Sequence, residues 1–96
     1  MKAFFIAKLN IKDIEKFQRY AQGASASMQP FGGEVLIKGK IANQLAGNSV
    51  YQNTAVVSFP SQEKLDSWYS SDDYQALLPL RDEAADILIT SYDIPA

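Results

Sequence analysis

The predicted first and last strands of this chain carry apolar side chains on both of their faces. The opposed sets are Phe4 and Ile6 against Phe5, Ala7 and Leu9 in the first strand, and Leu88 and Tyr92 against Ile87 and Ile89 in the last. An antiparallel sheet with one face in water alternates apolar with polar residues instead. A fold built on these strands must therefore cover both faces of its sheet.

Local patterns predict six elements in the order β-α-β-β-α-β. Strands are predicted at 2–9, 33–42, 54–59 and 86–93. Helical spacing of apolar residues predicts one helix that Asp13 caps and that ends before Pro30, and a second that Ser61 caps.

Within the second helical segment we expect a break at Ser70–Ser71, a restart at Asp72–Asp73 and a kink at Pro79. In the second strand, Val35 and Ile37 are expected on one side and Lys38 on the other. Two βαβ crossovers around an antiparallel sheet predict an α+β, ferredoxin-like fold with four strands, as a single domain over residues 1–96.

Two helices can cover only one face of a four-stranded sheet, so the other face needs a different partner. A large exposed apolar patch is unusual on a monomer, and a second copy related by two-fold symmetry is the simplest cover. The sequence thus predicts a homodimer in the form of a dimeric α/β barrel. A small ligand could lie between the two sheets or between sheet and helix. A flat dimer contact without a cavity stays open as the alternative.

Composition excludes several classes of site. The chain has no histidine and no cysteine, which removes His general bases, thiolate nucleophiles and the usual zinc ligands. The net charge of −2 and the scattered basic residues argue against nucleic acid as a partner. The N-terminal apolar run is too short for a secretory signal or a membrane span, so we expect a cytoplasmic protein without membrane contact.

No cofactor and no metal are predicted. The chain lacks a P-loop, a GxGxxG turn and zinc-ligand spacing. Asp72 and Asp73 could form an acid–base pair or a site for a hard metal ion. The more common arrangement is a pair of solvated charges at the positive end of a helix, and this is the interpretation we favour.

Five residues are candidates for ligand binding, each with a structural alternative. Arg81 could bind an anion or pair with Asp82, Asp86 or another acid. Lys38, next to Gly39, could act as a base or hold an anion, or could protect an edge strand from unwanted pairing. Tyr20 and Trp68, like Tyr74, have the spacing of helix core residues but could line a pocket. Ser58 could face the pocket from the valine-rich third strand. The candidates are Tyr20, Lys38, Ser58, Trp68 and Arg81.

The chain resembles the proteins grouped as domain of unknown function 1330, in the dimeric α/β-barrel superfamily. The resemblance runs nearly from end to end and rests on Asp13, Glu15, Phe17, Tyr20, Gly32–Gly33, Lys38–Gly39, Phe59–Ser61, Trp68, Tyr69, Ser71, Tyr74, Gln75 and Arg81. It implies the ferredoxin-like fold and the dimer but no established reaction. Wider relatives include cofactor-independent monooxygenases, small isomerases and proteins without known activity, and fold alone does not transmit function.

The sequence departs from this family at three positions that often carry charge. Ala46 and Ser58 stand where acids are common, and Asn53 stands where an arginine is common. If those charges support an activity, this chain lacks it or takes a different ligand. The function predicted is the binding of a small organic molecule in the barrel, with catalysis left open. A non-catalytic dimeric interaction or scaffold module is the alternative.

Overall fold

The structure, a computed structural model, describes residues 3–95. Four strands form one antiparallel sheet in the order β2-β3-β1-β4: β1 (Ala3–Ile11), β2 (Glu34–Lys40), β3 (Asn53–Phe59) and β4 (Ala85–Asp93). The helices are α1 (Ile14–Met28), α2 (Gln62–Tyr69), α3 (Asp72–Gln75) and α4 (Leu78–Ala84). The α+β fold with a four-stranded antiparallel sheet is confirmed. The predicted first strand began at Lys2, which lies outside the described residues.

Short polar side chains begin the helices where the sequence predicted them. Asp13 accepts a hydrogen bond from the backbone N–H of Lys16, and Ser61 accepts one from Lys64, each at 3.1 Å. Both caps are therefore confirmed, because each satisfies an N–H group that has no partner inside the helix. Within the part of the chain that the structure describes, no helix is long and apolar enough to cross a membrane.

The segment around Pro79 differs from the prediction. Instead of one helix kinked at Pro79, α3 ends at Gln75 and a separate helix, α4, begins at Leu78. Pro79 therefore lies in the first turn of α4, where its missing N–H costs nothing and its fixed φ suits the helix.

A β-bulge in β2 overturns the predicted facing of that strand. Val35 pairs with Val57 of β3, but Ile37 pairs with Val56, its immediate neighbour. Adjacent residues of a strand point to opposite faces, so Val35 and Ile37 lie on opposite faces and the prediction that they share one is wrong. A bulge adds one residue to a strand and reverses the facing of everything after it.

All four helices pack on one face of the sheet, here called the covered face. The core cluster joins alternate residues of β1 and β3, such as Phe5, Val57 and Phe59, to helix residues such as Leu65 and Trp68. The molecule measures 33 × 33 × 16 Å, and the short dimension fits one sheet plus one layer of helices.

The opposite side of the sheet, the open face, carries apolar residues without a helix over them in residues 3–95. The rings of Phe4 and Tyr92 stack there with centroids 5.1 Å apart. Ile37, Leu88 and Tyr92 are 64%, 47% and 44% exposed. The sheet is thus apolar on both faces, as its strand pattern predicted.

Candidate functional site

A cavity of about 370 Å³ lies between α1 and the covered face. This volume is within the range of small-molecule sites in proteins. Val35, Lys38 and Gly39 of β2 border it, and β2 is solvent-exposed along its whole length. The cavity therefore opens to solvent along this edge of the sheet.

Alanines create the empty space. Ala7 and Ala55 are paired across β1 and β3 and form part of the floor, while Ala21 and Ala24, one turn apart on α1, form part of the roof. A methyl group fills little of the roughly 10 Å between packed layers, which longer side chains would close. We call this space the alanine-lined cavity.

An aromatic cluster lies beside this cavity and consists of Phe5, Phe59, Trp68, Tyr69 and Tyr74. Of these residues, Phe5 and Trp68 border the cavity. Trp68 is 1% exposed and stacks on Phe5 with ring centroids 5.2 Å apart. Its indole N–H donates to the Ser27 hydroxyl at 2.9 Å, and that hydroxyl donates to the Ala24 carbonyl at 2.7 Å. The indole therefore offers a ligand an apolar surface, since its polar group is already paired.

A chain of hydrogen bonds runs from the cavity wall to Arg81. The hydroxyls of Tyr20 and Tyr74 are 2.8 Å apart, and a guanidinium nitrogen of Arg81 donates to Tyr74 and to Tyr69, each at 3.2 Å. Burial raises the pKa of the Tyr20 phenol far above its usual range, and the Tyr74 hydroxyl raises it further. Tyr20 is thus a neutral hydrogen-bonding group rather than a general base.

Arg81 serves as an internal partner for the tyrosines. Burial lowers the pKa of its guanidinium, but the hydrogen bonds to Tyr69 and Tyr74 raise it by more, so the group stays charged. It also lies 3.5 Å from the Asp82 carboxylate, one of the acids predicted as a structural partner. Arg81 does not border the alanine-lined cavity and reaches it only through Tyr74 and Tyr20.

Three of the five candidate residues come together at the cavity: Tyr20, Lys38 and Trp68. Ser58 does not, because it pairs with Phe4 and Glu34 and shares the open face with them. The roles of all five residues as ligand contacts stay predictions.

Sequence reasoning missed Ala7, Ala21, Ala24 and Ala55. Asn53, a neutral residue at a position where the resemblance implies an arginine, was not predicted as a ligand contact but borders the cavity. These alanines stand out in the sequence as small residues within patterns of larger apolar residues. The sequence does not show, however, that the four lie around one space.

Asp72 and Asp73 lie in the first turn of α3, as expected for charges at the positive end of a helix. Within residues 3–95, no group of three or more acidic, His or Cys side chains is placed to hold a metal ion.

The sheet order and the two βαβ crossovers define the class of this chain as a ferredoxin-like fold. The chain belongs to the family described as Domain of unknown function (DUF1330), whose model matches residues 2–91. The resemblance seen in the sequence is thereby confirmed. Among curated proteins, none matches the sequence.

Solved structures share the fold at low sequence identity. A protein of unknown function from Rhodopseudomonas palustris superposes with a TM-score of 0.82 at 13% identity, over 98% of this chain and 82% of the other. A dimeric ferredoxin-like protein of unknown function from Thermobifida fusca gives 0.64 at 16%, over 98% and 92%. SnoaB, a cofactor-independent oxygenase from Streptomyces nogalater, gives 0.65 at 10%, over 99% and 94%. Identities this low show a common fold and no more.

Proposed function

We propose that this protein is a homodimer that binds a small organic molecule in the alanine-lined cavity. The observation that carries the proposal is the cavity itself, which is lined by four alanines and by the stacked rings of Phe5 and Trp68. Protein interiors are normally filled to the density of organic crystals, so a space of about 370 Å³ is available for a ligand. An apolar ligand would gain free energy by leaving water for this lining.

The open face supports the homodimer. Its exposed Ile37, Leu88 and Tyr92 would be covered if two open faces packed together around a two-fold axis. Similar structures from Thermobifida fusca and Jannaschia are described as dimeric ferredoxin-like proteins. In this arrangement the two cavities lie on the outer sides of the paired sheets, so each subunit binds its own ligand.

Ligand binding is tested with a neutral fluorescent probe, N-phenyl-1-naphthylamine. Trp68 is the chain's one tryptophan and borders the cavity, so a bound probe should quench its emission. Ala24→Leu fills the roof and should abolish quenching. Ala26→Leu is the matched control, because Ala26 is exposed on the same helix and does not border the cavity. Equal quenching in both variants would disprove binding in this cavity, and no binding to the wild type would favour the interaction-module function.

The homodimer is tested by Leu88→Lys, which places a second positive charge directly opposite Lys8 on the open face. The variant should run as a monomer in sedimentation or light scattering, since burying two like charges next to each other is costly. Leu45→Lys is the control, because Leu45 is 89% exposed in the β2–β3 loop. A wild-type protein that is monomeric at micromolar concentration would contradict this part of the proposal.

A further inference from the structure

The lining of the alanine-lined cavity contains a positively charged residue but no negatively charged one. Lys38 is one of its lining residues, and none of the lining residues is an aspartate or a glutamate. The whole chain has two more acidic than basic residues, so a positive cavity is a local property. The electrostatic environment of this site therefore favours negative charge over positive charge.

The β-bulge in β2 is what brings Lys38 to the cavity. In a regular strand Val35 and Lys38, three residues apart, would point to opposite faces. The shift between Val35 and Ile37 makes Lys38 pair with Ala55, a residue of the cavity floor. Bulges commonly re-aim a side chain in this way beside functional sites.

The Lys38 ammonium has no carboxylate within 4.0 Å among residues 3–95. An edge-strand lysine can also serve to discourage pairing with other sheets, and Lys40 fits that role equally well. Both lysines lie on β2, are exposed and pair with covered-face positions of β3, yet only Lys38 borders the cavity. A comparison of Lys38 variants with Lys40 variants therefore separates a role in ligand binding from protection of the edge strand.

We propose that the ligand is an apolar molecule with one negatively charged group, such as a carboxylate or a phenolate, and that Lys38 binds this group at the opening of the cavity. The inference rests on the proposed function, because it names the class of molecule that the cavity takes. The apolar body of the ligand lies against the alanines and Trp68, and the charged end stays near the exposed edge strand, where water still reaches it.

The test compares two probes of equal shape, naphthalene-2-carboxylate and naphthalene-2-carboxamide, by displacement of N-phenyl-1-naphthylamine. The wild type should bind the carboxylate about five-fold more tightly at low salt, as expected for one partly exposed ion pair. Lys38→Gln should remove this preference, and the readout is the ratio of the two affinities, which a general loss of binding would not change. Lys40→Gln should keep the preference, and added salt should weaken it in the wild type.

The possible failures are distinguishable. If the carboxamide binds and Ala24→Leu blocks it, but the carboxylate has no advantage, the proposed function stands and the charge selectivity is wrong. If Lys40→Gln lowers the preference as much as Lys38→Gln, the selectivity comes from the general field of the edge strand and the assignment to Lys38 is overturned. If neither probe displaces the dye and the dye itself does not bind, the proposed function fails first.

Discussion

The covered face of the sheet has two regions that are packed in opposite ways. The aromatic cluster fills its region with stacked rings, and Trp68 and Tyr74 are 1% and 0% exposed. Next to it, the alanine-lined cavity leaves a space of about 370 Å³ under α1. The same sheet and the same layer of helices thus give a dense region or an empty one, depending on side-chain size alone. We infer that the first region stabilises the fold and the second is available for a ligand.

The largest expected effect comes from emptying the dense region. Trp68→Ala removes a fully buried ring that contacts Phe5, Phe59 and Tyr74 and should lower the free energy of unfolding by about 3–5 kcal/mol. Urea denaturation followed by circular dichroism measures this, at one protein concentration for all variants. Leu45→Ala, in an exposed loop, should change stability by less than about 0.5 kcal/mol. A similar small loss for Trp68→Ala would show that the cluster does not hold the fold together.

Replacing an alanine by leucine should lower the stability in the dense region but not at the cavity. Ala84→Leu enlarges a residue that is 0% exposed and does not border the cavity, so overpacking should cost about 1–3 kcal/mol. Ala24→Leu makes the same change in the cavity roof and should leave stability unchanged or raise it, because the added carbons have room. Thermal and urea unfolding of the two variants measure the difference. Equal losses would mean that the space under α1 is not open to a larger side chain.

Gly33 and Gly39 also differ in how much free space surrounds them. A Cβ at Gly33 would lie 2.8 Å from both Met28 Cβ and the Phe59 ring, whereas a Cβ at Gly39 would have nothing within 4 Å. Gly33→Ala should therefore cost about 1–2 kcal/mol. Gly39→Ala should be neutral or slightly stabilising, because it restricts the unfolded chain. A loss of stability in Gly39→Ala to match that in Gly33→Ala would contradict the free space found around Gly39.

The smallest expected effect concerns the hydrogen bond between Tyr74 of the aromatic cluster and Tyr20 of the cavity lining. Tyr74→Phe removes the hydroxyl that links Tyr20 to Arg81 and should cost about 1 kcal/mol, because both groups lose a partner in a partly buried place. Tyr69→Phe removes an exposed acceptor of the same guanidinium and should cost less. Chemical denaturation of the two single variants gives the ranking. A larger loss for Tyr69→Phe would place the important contact of Arg81 on the outside of the cluster.

Much of the fold could be predicted from the sequence because its signals are local. Asp13 and Ser61 cap the helices that follow them, and alternation along residues 3–9 and 86–93 marks strands with two apolar faces. The kink predicted at Pro79 was wrong, although the arrangement that the structure shows, a proline in the first turn of a helix, is also a local preference. A new helix starts there, after α3 has already ended at Gln75.

The candidate site was predictable only in part. Tyr20 and Trp68 have helix core spacing, and the structure shows them both buried and at the cavity wall, so core and pocket were never exclusive alternatives. Arg81 shares a helix face with apolar residues, but its partners proved to be two tyrosines and Asp82 rather than the cavity.

The sequence by itself determined the order of the strands, the starts of α1, α2 and α3 and the apolar character of both sheet faces, because each depends on residues a few positions apart. Only the tertiary structure decided the side on which Lys38 and Ser58 lie and the meeting of Ala7, Ala21, Ala24 and Ala55 around one space. Alternation along a strand tells which residues share a face, but pairing with neighbouring strands and a bulge of one residue determine which face that is.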